Sequence, residues 1–405
     1  MSTHKTPPSK YISPQPNRKA PNAPSSLTYT LITSLAYLLY LSLLIPYISY
    51  HTFLHLLTPR PFPTWTLSRR ISTRLNKLWV TLIGYWIPPS PGWDEWNVTS
   101  SPGQGYLDSI ARGEVRMGVA RLQPVDEKYI MGIADVRAVT AEVRAGFWID
   151  PTMEEGEVDR RAEVGERVLL HIHGGSYIRG HPLWTPFPMN ISRSTSLRCL
   201  SINYRKTLSP QSAFPAPLLD VLSAYIYLTR QLNFPPKKII ILAESAGAHL
   251  ALLLSQYLRD LDLPQMGYMV LSSPWADFTL SYPSYRSNAG YCQLSPIRLG
   301  RAVMSATRYY TREFVESGYA SPAKMPLGGW RYLSDDGEEG GTKVYMHYGG
   351  RELFRDEIEA LGRGMKRDGV DVRMRLDPDG LHTSGMNGEA GEMFKKDVLE
   401  VLDIS

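Results

Sequence analysis

Five short apolar runs recur through the middle and C-terminal parts of the chain: Val168–His173, Cys199–Tyr204, Ile239–Ala243, Tyr268–Leu271 and Val344–Tyr348. They alternate with segments of helical periodicity at Pro217–Leu232, Ala246–Arg259, Glu352–Lys366 and Ala390–Leu402. Continuous apolar runs mean strands covered on both faces, and strands separated by helices imply parallel βαβ units. The pattern predicts an α/β fold with a mostly parallel central sheet and helices on both faces. Val136–Ile149 alternates well enough for an antiparallel edge strand or hairpin, and the acidic Asp150–Glu166 reads as an exposed loop. A last strand is expected at Val370–Leu376. Trp275–Gly341 breaks the rhythm with Tyr, Pro, Gly and Ser and no clear strand. It fits an insertion over the carboxyl edge of the sheet, where ligands bind in open α/β sheets.

The 405 residues suit one large α/β domain with appendages. We expect a basic, Pro- and Ser-rich disordered tail over 1–26, a membrane anchor over 27–57, an amphipathic, basic linker over 58–90, and the α/β domain over 91–405 with its lid insertion at about 275–341. From Leu27 to Thr58 there is no Asp, Glu, Lys or Arg. Its first part, Leu27–Ile45, is almost wholly apolar or hydroxylic, and Pro46 then permits a kink or an end. About 20 apolar residues cross a bilayer, so the segment qualifies as a single-pass N-terminal transmembrane helix. The polar lead before it argues against a cleaved signal peptide. Basic residues flank both ends, so charge barely orients it. The sequons Asn97-Val98-Thr99 and Asn190-Ile191-Ser192 lean toward a luminal catalytic domain on a glycoprotein. The net charge of +5 is scattered, without a dense basic run interleaved with aromatics, so no nucleic-acid partner is expected. Two cysteines, Cys199 and Cys292, make neither a disulfide framework nor a cysteine metal site.

Two motifs carry chemistry. In Ile239–Gly247 (Ile-Ile-Ile-Leu-Ala-Glu-Ser-Ala-Gly) a buried strand runs into Ser245 and a helix follows. A serine on so tight a turn needs small neighbours, here Ala243 and Gly247. An ordinary strand–loop–helix junction with a capping serine gives the same local pattern. In His171-Ile172-His173-Gly174-Gly175-Ser176-Tyr177 a glycine pair ends a strand, leaving N–H groups free to converge on a developing oxyanion.

With these residues in place, the chain resembles the hormone-sensitive-lipase-like family of α/β hydrolases over roughly residues 90–405. The matching segments are His173-Gly174-Gly175-Ser176, Asn203-Tyr204-Arg205, Phe214-Pro215-Ala216-Pro217, Asp220-Val221, Glu244-Ser245-Ala246-Gly247, Ser273-Pro274-Trp275-Ala276-Asp277 and Glu352-Leu353-Phe354-Arg355-Asp356-Glu357. With its N-terminal anchor it is similar to the membrane-tethered steryl acetyl hydrolase and arylacetamide deacetylase branch. The resemblance implies Ser245 as nucleophile, His382 as base and Glu352 as acid, with Asp356 as the fallback acid. The implied oxyanion donors are Ala246 and the loop Gly174, Gly175 and Ser176, of which Gly175 and Ser176 are preferred. It departs from the family at Ala243 and Ala248, where glycine is usual, and at Glu352, where aspartate is. His249 is read as a packing residue and Asp277 as structural.

No metal or organic cofactor is needed for this chemistry. The expected substrate is a short-chain ester of a lipophilic alcohol, and the expected place is a membrane, that of the endoplasmic reticulum. Two other readings stay open at this level. One is a biosynthetic-pathway hydrolase acting on a secondary-metabolite intermediate, and the other a non-catalytic ligand-binding protein on the same fold.

Overall fold

The computed structural model describes residues 26–58, 62, 65–86, 104–152, 159–334, 340–386 and 388–404. Three helices come first: α1 (Ser26–Leu57), α2 (Leu67–Trp86) and α3 (Gln104–Ala111). α1 continues through Pro46 rather than ending there. Residues 1–25 of the expected tail and the Asn97 sequon lie outside the described residues.

Eight strands then form one sheet: β1 (Arg116–Leu122), β2 (Arg144–Asp150), β3 (Val168–Ile172), β4 (Cys199–Ile202), β5 (Ile239–Glu244), β6 (Tyr268–Ser272), β7 (Lys343–Gly349) and β8 (Val372–Asp377). Their order is β1-β2-β4-β3-β5-β6-β7-β8. The β1/β2 and β2/β4 pairs are antiparallel and all others parallel. Crossovers are made by α4 (Phe187–Thr195), α5 (Ala216–Ile226), α6 (Ala246–Asp260) and, after the insertion, α10 (Arg355–Arg367). The insertion holds three short helices, α7 (Ser284–Ser287), α8 (Pro296–Ala306) and α9 (Arg312–Glu316), and no strand among its described residues. α11 (Gly388–Val401) closes the fold.

The period-2 geometry of the strands divides the core. Val168, Leu170, Ile172, Ile239, Ile241 and Ala243 face one cluster, shared with α5, α6 and α10. Leu169, Ile240, Leu242, Val270 and Tyr345 face the other, shared with α4 and α11. Each fully buried Leu or Ile contributes about 1.5–3 kcal/mol, which is why these strands read as unbroken apolar runs.

One expectation needs correction. Val136–Ile149 is a strand only from Arg144, and its hairpin partner is β1, whose sequence RMGVARL carries two arginines and a glycine. β1 is an edge strand with one half-exposed face, so its composition carries no strong apolar signal. The sequon at Asn190 lies within α4, with Ile191 and Ser192 buried.

Candidate active site

β5 delivers its last residue, Glu244, directly into Ser245, and α6 starts one residue later. Ser245 has φ 55° and ψ −121°, a conformation that L-residues avoid and that the surroundings must hold. Its N–H donates to Ser272 O (2.9 Å), and its C=O accepts from Trp275 N (3.2 Å). The turn closes because residue 247 is glycine. A Cβ there would lie 2.0 Å from Ile172 O. Ala243 and Ala248 are both fully buried, and the elbow forms with the methyl of Ala243 packed in the core.

His382, in the loop after β8, points Nε2 at Ser245 Oγ (2.9 Å) and Nδ1 at Glu352 Oε2 (2.6 Å). Glu352 is fully buried after β7, and its other oxygen accepts from Gly349 N (2.8 Å) and Ser273 Oγ (3.0 Å). Asp356 lies elsewhere. It accepts from Ser284 N (2.8 Å) and pairs with Arg355 (2.6 Å), so it is a helix-start residue with no contact to the imidazole.

The loop opposite is pinned at both ends of Gly174. Its N–H donates to Glu244 Oε1 (2.8 Å), and its C=O lies 2.7 Å from His173 Nδ1. This corrects one expectation: Gly174 has no N–H left for an oxyanion. In a trans planar peptide the C=O of Gly174 and the N–H of Gly175 point in opposite directions. Holding the one therefore aims the other. The N–H groups of Gly175, Ser176 and Ala246 have no hydrogen-bond partner among the described residues. Gly175 has φ 120°, and a Cβ on it would lie 2.2 Å from Arg179 O.

His173 is buried and stacked on Tyr204 (4.3 Å), and its Nε2 lies 3.1 Å from Lys206 Nζ. Burial and the Lys206 cation hold its pKa well below the usual imidazole range. It is therefore neutral, accepting from Lys206 at Nε2 and donating from Nδ1 to Gly174 O. Neighbouring His249 is buried between Tyr177 OH (2.6 Å), Ala320 O (3.1 Å) and the face of Phe278 (4.2 Å). Burial lowers its pKa to about 3. Asp277 binds the backbone and hydroxyls of Thr279 and Ser281, away from the reacting groups.

Sequence reasoning gave two residues of the matched segments no role. Ser273 donates to Glu352 and accepts from Thr383 N (2.8 Å), so one hydroxyl joins the acid to the histidine loop. Glu244 links the elbow to the glycine loop, and its second oxygen meets His171 Nε2 at 3.0 Å. Both stand inside matched segments, but only the fold shows what they touch.

Residues 169–385 match the α/β-hydrolase fold family, more than half of the chain and every residue of this constellation. The chain belongs to the α/β-hydrolase family. An acetyl-hydrolase of Streptomyces hygroscopicus is 28% identical over 254 residues, covering 62% of this chain and 76% of the relative. An esterase of Acinetobacter venetianus is 25% identical over 222 residues, covering 55% and 68%. Among solved structures, an esterase of the bacterial hormone-sensitive lipase family aligns with TM-score 0.54 and 21% identity, covering 90% of this hydrolase and 97% of that chain. Carboxyl esterase 2 of the mycorrhizal fungus Tuber melanosporum aligns with TM-score 0.56 and 14% identity, covering 72% and 86%.

A cavity of about 790 Å³ adjoins His382. Its walls come from α2 (Arg69, Thr73, Asn76), the Thr383–Ser384 turn and Met393 of α11. Ser245 and the glycine loop are not among its lining residues.

Proposed function

We propose that this α/β hydrolase is a serine carboxylesterase that removes short acyl groups from lipophilic alcohols. Ser245 Oγ attacks the ester carbonyl while His382 takes its proton, and buried Glu352 stabilises the imidazolium. The tetrahedral oxyanion is received by the N–H groups of Gly175, Ser176 and Ala246. His382 then protonates the leaving alcohol, and water, activated by the same imidazole, releases the acyl-enzyme. The observation that carries this reading is the unbroken chain Ser245 Oγ–His382–Glu352, at 2.9 and 2.6 Å. The esterases and acetyl-hydrolase among its relatives support the reaction class.

The apolar side of the proposal rests on two features. The 275–341 insertion, rich in aromatics, serves as the lid, and α1 is long and apolar enough to bind a membrane. On the resemblance to the tethered branch, that membrane is taken as the endoplasmic reticulum.

Fluorophosphonate labelling and p-nitrophenyl acetate turnover test the chemistry. Wild type labels and turns over. Ser245→Ala loses both, and His382→Ala loses turnover by about 10⁴-fold or more while keeping its melting temperature. A folded wild type that neither labels nor turns over would leave the binding-protein reading in its place.

A further inference from the structure

The two N-terminal helices change character at the same level. Exposed apolar residues of α1, such as Leu31, Leu35, Leu38, Leu39, Leu41 and Ile45, cover every side of it but the one turned to α2, as in a helix that meets lipid all round. On that remaining side Tyr37 and Tyr40 meet Trp79 of α2 at 5.3 and 5.1 Å, in a small cluster with Ala36 and Leu82. Further along α1 the contacts become polar. His51 packs on Tyr47 (4.4 Å) and Tyr50 (5.2 Å) and is faced from α2 by Arg70 and Arg74. α2 divides in the same way: its basic residues, Arg69, Arg70, Arg74 and Lys77, all stand in its first half, and residues 78–86 carry no charge.

From Ser26 to His51 α1 rises about 38 Å at 1.5 Å per residue, more than the roughly 30 Å of a bilayer's hydrocarbon core. A span entered at the N-terminal end of α1 therefore brings His51, and the arginines beside it, out among the headgroups.

The donors at that level are not all used within the protein. Arg69 Nη2 donates to Asp379 O (2.8 Å), Arg74 Nη1 to Gly290 O (2.6 Å) and Lys77 Nζ to Ala289 O, so these three hold α2 to the catalytic domain. Arg70 makes no such bond. It is only 8% exposed, and its Nε and Nη1 are buried without a hydrogen-bond partner among the described residues. Arg74 Nε, His51 Nδ1 and His55 Nδ1 are in the same condition. The segment cannot neutralise itself, because residues 1–93 hold no Asp or Glu. A buried charge costs free energy unless it is paired and hydrogen-bonded, and each orphaned donor adds to that cost. The cluster is not sealed, since Arg74 and His55 are only half-buried.

We infer that Arg70 and Arg74, with the ring nitrogens of His51 and His55, hold the phosphate of an anionic phospholipid between α1 and α2. A guanidinium fork matches two phosphate oxygens, and basic pockets between helices at a membrane surface suit anionic headgroups. The acyl chains of such a lipid have the exposed leucines of α1 to run along, which a free phosphate could not use. Through the bonds of Arg69, Arg74 and Lys77, the bound lipid ties the catalytic domain to the bilayer surface. This rests on the membrane reading of α1 above and not on the esterase chemistry.

The test uses the full chain in detergent micelles, with phosphatidylglycerol, phosphatidylcholine or inorganic phosphate added. It reads the melting temperature and the lipid retained in native mass spectrometry. Wild type should retain phosphatidylglycerol over phosphatidylcholine by about tenfold and melt higher in its presence. Arg70→Gln should lose the preference and the shift, whereas Arg312→Gln, an exposed charge on α9, should keep both. In lipid-free micelles Arg70→Gln should melt no lower than wild type, because an unpaired buried cation has been removed. A clear fall there would mean that Arg70 has its partner inside the protein, and would overturn the site. Equal retention of the two lipids by wild type, or an unchanged preference in Arg70→Gln, overturns it as well. A shift with inorganic phosphate that phosphatidylglycerol does not give makes the ligand a soluble phosphate and overturns the lipid. If the chain stays in the supernatant after cell breakage, the membrane reading fails and the lipid site with it, while p-nitrophenyl acetate turnover reports on the esterase reading separately.

Discussion

Ser245 and His382 face each other across 2.9 Å, yet they are held by different forces. Ser245 is placed by backbone. Its strained φ/ψ is enforced by β5 behind it, α6 ahead of it and the close approach of Gly247 to β3. His382 stands on a loop and is placed by side chains from elsewhere: Glu352 at Nδ1, Gln293 at its C=O (2.9 Å), and Ser273 at the next N–H. The edge of Phe354 packs against its ring (4.9 Å). A backbone-built half tolerates little change at the turn itself. A side-chain-built half is held by several weak restraints that can be removed singly, so substitutions there yield graded losses.

The largest effect on the loop half is expected at the acid. Glu352→Gln preserves shape but removes the charge that stabilises the imidazolium. It should lower kcat by about 10³–10⁴-fold, with melting temperature nearly unchanged. Asp356→Asn should leave kcat within about twofold and act on stability instead, because it weakens the bond to Ser284 N and the pair with Arg355. Steady-state kinetics on both variants checks the pair. Equal losses in kcat would remove Glu352 from its role and break the contrast between the two halves.

A smaller effect sharpens it. Ser273→Ala removes a donor to Glu352 and leaves the Thr383 N–H without its acceptor. We expect kcat to fall about tenfold, equivalent to about 1.4 kcal/mol of activation free energy, with KM unchanged. Stability should fall by about 1–3 kcal/mol for the orphaned amide. Ser273→Thr, which keeps the hydroxyl, should recover most of the rate. A rate loss in both variants alike would point to packing rather than to the hydrogen bonds.

The two halves also differed in what the sequence made legible. Parallel strands were readable because a strand covered on both faces must be apolar throughout, as in Ile239–Ala243. The elbow was readable because strain demands small residues at fixed offsets, and Gly247 is one whose Cβ would collide with backbone. β1 was not readable, since an edge strand can carry Arg116, Gly118 and Arg121 without cost. The occupied N–H of Gly174 was not readable either. Its partner, Glu244, lies 70 residues away, and the two meet only because β3 and β5 are neighbours. Ser273 is similar: its two partners come from the ends of β7 and β8, and nothing local to Ser-Pro-Trp announces them.

The last prediction separates fold from chemistry by pH. His173, His181 and His249 surround the glycine loop and elbow, and His347 lies under the loop half. Burial lowers the pKa of all four, to about 4 for His181 and about 3 for His249. In the unfolded chain they take up protons near pH 6.5, whereas in the folded chain His181 and His249 stay neutral until the pH falls to about 4 and about 3. Stability is therefore lost as pH falls from about 6.5 toward 4, at about 1.4 kcal/mol per pH unit for each such histidine. Glu357 works the other way. Burial, then the nearby Asp277 charge, raises its pKa well above the carboxylate range. The folded state thus holds a proton that the unfolded state releases above about pH 4.5, and this stabilises the fold on the acid side. Urea denaturation between pH 6 and 4.5 should show the net loss. His249→Gln, which keeps an amide able to meet Tyr177 and Ala320, should flatten the slope by about one proton. Glu357→Gln should steepen it by a similar amount. An unchanged slope in His249→Gln would mean that the imidazole already takes up its proton in the folded state. The elbow half would then be less dry than its geometry requires.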